Sequence, residues 1–156
     1  MKSSNSSKPD ARGLRVGIVV SRYHPEITGA LEQGARAAFL AAGGREQDLV
    51  VLAAPGAFEL PVIASALARR ADVAAVVVLG CIVQGSTRHD RVIADAVAGA
   101  LAKLSAELCK PVGLGLLTVR TMKQAHARAG GKVGNKGTEA MDAALHAARA
   151  VEEARR

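Results

Sequence analysis

The chain has 156 residues and a formal net charge of +7; 49% of its residues are hydrophobic but only 2% are aromatic. This length suits one domain with a buried core, which must be filled with Ala, Val, Leu and Ile. The basic residues are dispersed and lack interleaved aromatic side chains, so the charge indicates a solvated surface or small anionic substrates rather than nucleic acid.

Residues 1–13 are predicted to form a flexible tail, because this Ser-rich start lacks the apolar core of a signal peptide. A single domain is expected over residues 14–156. No apolar run is long enough to span a membrane, so we expect a cytoplasmic protein with no membrane partner. Cys81 and Cys109 match no zinc or redox spacing, and no metal site is predicted.

Strands and helices alternate along the domain. Short apolar runs rich in β-branched residues predict buried strands at Leu14–Val20, Leu49–Ala53, Val73–Leu79 and Pro111–Thr118. Apolar residues at helical spacing predict one helix between Pro25 and Gly43 and others at Phe58–Arg70, Arg88–Leu108, Thr121–Ala129 and Thr138–Ala154. The fold class is therefore α/β, with a four-stranded parallel sheet between helices on both faces as a three-layer αβα sandwich.

In such sheets ligands bind beyond the carboxyl ends of the strands. This rule selects the segments Ser21–His24, Ala54–Glu59, Gly80–His89 and Leu114–Thr118. The Gly- and Lys-rich loop around Lys136 is a fifth candidate, on its composition alone.

The turn at Gly80–His89 offers two kinds of function. Ser86 and Thr87 place hydroxyl and N–H groups at a helix N-terminus, where the helix dipole favours an anion. Thr87 and Asp90 also fit a capping box, which would give both a purely structural role. Capping does not require His89 in the first helical turn, so His89 is a candidate acid or base, although a lone helical His is more often structural.

The other candidates also have two interpretations. Glu59 suits a helix N-terminus, and could instead accept hydrogen bonds from substrate hydroxyls. Tyr23 is either a half-buried surface side chain or a platform for a flat heterocycle. Arg128 and Lys136 could bind a phosphate, although their loop lacks Walker spacing. The remaining histidines, assigned to surface or packing roles, are His24, His126 and His146.

Five segments in order resemble the lumazine synthase family, from about Leu14 to the C-terminal helix. They are Gly17–Tyr23, Pro55–Pro61, Leu79–Thr87 with His89, Leu116–Thr118, and Arg128–Gly130 continuing to Gly134–Gly137. The resemblance implies a flavodoxin-like fold and a transferase of riboflavin biosynthesis, which uses no metal or organic cofactor. The implied reaction, the penultimate step of that pathway, condenses 5-amino-6-(D-ribitylamino)uracil with 3,4-dihydroxy-2-butanone 4-phosphate. It gives 6,7-dimethyl-8-ribityllumazine, phosphate and water.

The resemblance also assigns roles to residues. Those implied for the ribitylaminouracil are Tyr23, Ala57, Phe58, Glu59, Cys81, Ile82, Val83, Leu114 and Lys136. Those implied for the phosphate of the butanone are Ser86, Thr87 and Arg128. His89 would donate and accept protons. Tyr23 would stack on the pyrimidine, and Leu114 stands where many members place Phe.

The family assembles as pentamers with active sites shared between neighbours, and some members form icosahedral shells. A shared site would bring Leu114 and Arg128 of one chain to Tyr23, Glu59 and His89 of another. The loop between Arg128 and Gly137 is short, as in the shell-forming members that the chain resembles, and this similarity favours a large assembly. An Ala-rich core with little surface per side chain also favours subunit association.

Three alternatives remain open from the sequence. The first is a non-catalytic lumazine- or flavin-binding or shell-forming relative. The second is a receiver-type signalling domain, which needs clustered acids after the first strand, where Ser21–Tyr23 supplies none. The third is a nucleophile pair of Cys81 and His89.

Overall fold

The structure, a computed structural model, describes residues 7–156. Its main strands are β1 (Val16–Ser21), β2 (Leu49–Ala54), β3 (Ala75–Val83) and β4 (Val112–Val119). Its helices are α1 (Pro25–Ala41), α2 (Leu60–Ala68), α3 (His89–Leu108), α4 (Met122–Arg128) and α5 (Lys136–Ala154). Two further short strands are β5 (Ala129–Gly131) and β6 (Gly134–Asn135).

The four main strands form one parallel sheet in the order β2-β1-β3-β4. The two central strands consist almost wholly of buried residues, as expected for strands covered on both faces. The predicted four-stranded parallel sheet is confirmed.

Helices cover both faces of the sheet and complete three layers. On one face α1 and α5 pack on the sheet in a cluster that contains Phe39, Met141 and Leu145. On the other face α2 and α3 form a second cluster, with Leu60 and Leu101. Phe39 is the one aromatic side chain that the described residues contribute to either cluster, so small aliphatic side chains fill the core as predicted.

Most observed bounds lie within one or two residues of the prediction, and three differences change the structure beside candidate residues. β3 continues beyond Leu79 to Val83, because its last residues pair with the end of β4. α2 begins at Leu60, after a 3-10 turn at Ala57–Glu59. The predicted Gly- and Lys-rich loop contains the antiparallel hairpin of β5 and β6, in which Gly130 and Gly134 adopt positive φ values.

Part of the predicted N-terminal tail packs against the domain. Ala11 is fully buried, and its N–H donates to the carbonyl of Ala42 at 2.9 Å. The Asp10 carboxylate pairs with Arg12 at 2.8 Å and Arg149 at 3.7 Å, and the guanidinium of Arg12 in particular holds the pKa of Asp10 well below its usual range. Residues 1–6 of the predicted tail lie outside the described residues.

None of the helices in residues 7–156 combines the length and the apolar character that crossing a membrane requires.

Candidate active site

The carboxyl ends of β1, β2 and β3 lie side by side at one edge of the sheet. Ser21 pairs with Ala54, and Val20 pairs with Leu79, one residue before Gly80. A cavity of about 580 Å³ opens at this edge, within the usual range for small-molecule sites. Ten of the thirteen predicted site residues line it, namely Tyr23, Ala57, Phe58, Glu59, Cys81, Ile82, Val83, Ser86, Thr87 and His89.

The end of β3 leaves backbone hydrogen-bonding groups open to this cavity. The ladder between β1 and β3 ends at Leu79, whereas the ladder to β4 continues to Val83. The N–H groups of Val76 and Gln84 donate towards β4. Because backbone groups alternate between the two sides of a parallel strand, those of Cys81 and Val83 point to the β1 side. They can pair with a planar ligand bearing amide-like edges.

Tyr23 follows β1 and projects into the cavity from a fixed backbone. Its N–H donates to the Oγ of buried Ser21 at 3.2 Å, and the N–H of Arg22 donates to the carbonyl of Ala54 at 2.8 Å. The Tyr23 side chain is 66% exposed. An aromatic face is therefore available to stack on a flat heterocycle.

The second wall of the cavity is the 3-10 turn that precedes α2. Phe58 in this turn is 64% exposed. Glu59 is the N-cap residue of α2, but its side chain makes no capping hydrogen bond. Its Oε2 lies 3.2 Å from the position that a Cβ on Gly56 would occupy, so glycine at position 56 leaves room for the carboxylate. Glu59 is thus free to accept hydrogen bonds from hydroxyl groups.

The capping box that the sequence offered as an alternative at the start of α3 is not formed. The helix begins at His89, and its N-cap is Arg88, which makes no side-chain capping bond. The Thr87 Oγ1 accepts only a long bond of 3.4 Å from the N–H of His89, because the helix starts one residue later than the box requires. Ser86, Thr87 and His89 are exposed together on the cavity wall.

The environment of Cys81 does not suit a catalytic nucleophile. Its side chain is only 2% exposed, and burial raises the pKa of the thiol to about 11. The neutral thiol form therefore dominates near neutral pH, and a neutral thiol is a poor nucleophile. The geometry instead supports a packing role for the Cys81 side chain and hydrogen bonding to a ligand by its open backbone groups.

The other three predicted residues lie elsewhere in the same chain. Arg128 and Lys136 line a separate cavity of about 260 Å³ beside Thr118. The guanidinium of Arg128 donates to the carbonyl of Gln124 at 3.3 Å. Leu114, 42% exposed, lies within β4 and faces a third cavity beside α3. Within a single chain, these three residues therefore lie apart from the ten that line the main cavity.

Five residues that line the main cavity had no assigned part in binding, namely His24, Gly56, Gly85, Asp90 and Ile93. The signal for His24 is its place directly after Tyr23 at a strand end. Its ring contacts that of Tyr23, with centroids 4.8 Å apart. Among residues 7–156, no three His, Cys, Asp or Glu side chains are grouped to hold a metal ion.

Comparison with known proteins matches nearly the whole chain to one family. The sequence model of the 6,7-dimethyl-8-ribityllumazine synthase family matches residues 13–152. A protein of that name from Aquifex aeolicus is 44% identical over 141 residues, 90% of this chain and 92% of that protein. Its namesake from Thermus thermophilus is 41% identical over 142 residues, 91% of this chain and 90% of that protein. A third protein of that name, from Phocaeicola vulgatus, is 40% identical over 134 residues, 86% of this chain and 80% of that protein.

Proposed function

Because this chain belongs to the 6,7-dimethyl-8-ribityllumazine synthase family, we propose that the cavity at the carboxyl ends of β1–β3 is its active site. The protein is a transferase of riboflavin biosynthesis. It condenses 5-amino-6-(D-ribitylamino)uracil with 3,4-dihydroxy-2-butanone 4-phosphate and forms 6,7-dimethyl-8-ribityllumazine. The observation that carries the assignment of the site is the convergence of ten predicted residues on one cavity.

The pyrimidine binds along the open end of β3. The backbone groups of Cys81 and Val83 pair with the polar edge of the ring, since β1 has already ended there. Tyr23 stacks on the ring face. Glu59 and the turn at Ala57 hold the hydroxyl-rich ribityl chain, because the carboxylate is not engaged in capping α2.

His89 transfers the protons of the reaction. The 5-amino group of the pyrimidine attacks the ketone and water leaves, and phosphate is then eliminated. The ribitylamino nitrogen closes the ring on the remaining carbonyl carbon and a second water leaves, so each stage moves a proton on a bound intermediate. An imidazole has two ring nitrogens, one that can donate and one that can accept these protons. Ser86 and Thr87, exposed beside His89 at the N-terminus of α3, offer hydroxyl groups to the phosphate in a field that favours an anion.

A neighbouring copy of the chain supplies Leu114, Arg128 and Lys136. These residues lie in cavities separate from His89 within one chain. Two large apolar side chains outside the site, Val62 and Val92, are more than 60% exposed, which suits burial against a partner. The proposed assembly is a homopentamer with shared sites, and the short Arg128–Gly137 hairpin segment favours an icosahedral shell of pentamers.

We place the protein in the cytoplasm. Both of its cysteines, Cys81 and Cys109, are free thiols in the structure, which suits a reducing compartment. Cell fractionation that recovers the protein with periplasmic or membrane markers would contradict this location.

The activity is tested by mixing the two substrates with purified protein and following lumazine absorbance. Wild type is expected to form lumazine, and His89→Ala is expected to lower kcat by about 10²–10⁴-fold, the usual contribution of an acid or base. His146→Ala on α5, remote from the cavity, is the matched control and keeps the wild-type rate. Absence of lumazine at high protein concentration favours the non-catalytic alternative. A wild-type rate in His89→Ala refutes the role of His89.

A further inference from the structure

His24 adopts an unusual backbone conformation at the edge of the active-site cavity. Its φ of 58° and ψ of 61° lie in the left-handed region, and within residues 7–156 only one other non-glycine residue, Cys109, has a positive φ. For a residue with a Cβ this conformation costs energy, and strained residues of this kind cluster at functional sites. Glycine or asparagine would adopt it more easily.

His24 occupies the turn between β1 and α1. Pro25 begins the helix, and the residue before a proline is disfavoured in the right-handed helical region. The carbonyl of His24 accepts hydrogen bonds from the N–H groups of Ile27 at 3.0 Å and Thr28 at 3.1 Å. The backbone of His24 therefore starts the helix, a task that does not depend on its side chain.

The imidazole of His24, unlike its backbone, takes no part in starting the helix and contacts Tyr23 instead. It makes no hydrogen bond or ion pair with the described part of the chain, and its aromatic contact is the ring of Tyr23. The two centroids are 4.8 Å apart and the ring planes meet at 77°, an edge-to-face arrangement. Aromatic rings prefer this geometry, and such a contact stabilises one orientation of the pair.

We propose that His24 is a positioning residue that holds the ring of Tyr23 in the orientation in which it stacks on the pyrimidine of the substrate. Tyr23 is mostly exposed, so its own surroundings leave the ring free to rotate. The edge contact from His24 limits that rotation before the substrate arrives. The inference rests on the proposed function for the identity of the flat ligand, but the contact itself can be tested without activity.

The test uses the fact that Tyr23 is the only tyrosine of the chain, which has no tryptophan. Tyrosine emission therefore reports on this ring alone. The variants are His24→Asn and His24→Gly, which tolerate the left-handed backbone and remove the ring, and His24→Phe, which restores an aromatic edge. His146→Asn is the matched control, and thermal unfolding checks that each variant is folded.

In His24→Asn and His24→Gly the anisotropy of Tyr23 emission is expected to fall, with the unfolding temperature equal to or above that of wild type. The KM for the ribitylaminouracil should rise about twofold to tenfold, the range of an aromatic pair contact, while kcat changes less than twofold. His24→Phe should recover most of both losses. His146→Asn should match wild type throughout.

Unchanged anisotropy in both ring-deleted variants overturns the proposal, as does altered anisotropy with an unchanged KM. A loss in kcat alone also overturns it, because a positioning residue acts on binding. If wild type forms no lumazine, the proposed function fails. The anisotropy and the binding of the ribitylaminouracil, measured by calorimetry, then still decide the role of His24.

Discussion

At the scale of single residues, the two cysteines differ sharply in environment. Cys109 is exposed at the end of α3, whereas Cys81 is buried with a raised pKa. Because alkylation requires an accessible thiolate, iodoacetamide at pH 8 should label one thiol per folded chain, at Cys109, without loss of activity. Peptide mass spectrometry locates the label.

Two controls sharpen this result. Cys109→Ser should take up no label while folded, and the unfolded wild type should take up two. Labelling of Cys81 in the folded protein, with parallel loss of lumazine formation, would restore the nucleophile pair of Cys81 and His89.

Single residues also mark the limit of what the sequence predicted at the site. Tyr23, Glu59 and His89 were selected because they follow strands, and the parallel sheet brings them to one edge. His24 was assigned to a surface or packing role, because spacing along the chain does not reveal a left-handed backbone or a ring contact. Both depend on the path of the turn after β1.

At the scale of elements, α5 approaches α1 so closely that Gly137 has no room for a side chain. A methyl group at position 137 would overlap the carbonyl oxygen of Leu31. Gly137→Ala should therefore lower the free energy of unfolding by about 1–3 kcal/mol, the usual cost of overpacking. Urea denaturation followed by circular dichroism, at one fixed protein concentration, measures the change.

Gly29→Ala on α1 is the matched control. A Cβ at position 29 meets nothing within 4 Å, so alanine should stabilise the helix by about 0.5–1 kcal/mol. Equal effects of the two substitutions would show that α1 and α5 are not in close contact at Gly137.

The elements themselves were largely predictable. Continuous apolar runs located the four main strands and helical spacing located the helices, because burial on both faces or on one face fixes those patterns. The end of β3 was missed, since the pairing of Cys81–Val83 with β4 is a long-range contact. The capping box is absent for a related reason. It is a local sequence pattern, whereas the first residue of α3 depends on where β3 ends.

At the scale of the whole molecule, the predicted site residues divide among three cavities within one chain. His89 lies in the first, Arg128 in the second and Leu114 in the third. Periodicity could not show this division, because it specifies elements and not which copy of the chain completes a site. The resemblance to the family implied it, since a shared site would bring Arg128 of one chain to His89 of another. If neighbouring copies share sites, two inactive variants can complement each other.

His89→Ala and Arg128→Ala are each expected to be inactive or strongly impaired when pure. Mixed, dissociated in urea and reassembled, they should regain a fraction of wild-type activity, because some interfaces then combine an intact His89 with an intact Arg128. Light scattering should give a mass of at least five times the 16.0 kDa chain.

The double variant His89→Ala/Arg128→Ala, reassembled with wild type, is the control for this experiment. Every interface that includes a double-variant chain lacks His89, Arg128 or both. The activity per wild-type chain should therefore not rise. Recovery of no activity in the mixture, with proper reassembly shown by light scattering, would place His89 and Arg128 of the same chain in one site.

The position of α5 has a consequence for synthesis on the ribosome. The strand order lets each strand pair with an exposed edge of those already made, so the sheet can form in the order of translation. The face of the sheet that packs on α1 also packs on Met141 and Leu145 of α5, and it stays uncovered by them until α5, the last of these elements, leaves the ribosome. A nascent chain with four paired strands thus displays an apolar face of the kind that chaperones bind and that drives aggregation. The newly made protein is therefore most prone to aggregate after its sheet is complete and before α5 covers it.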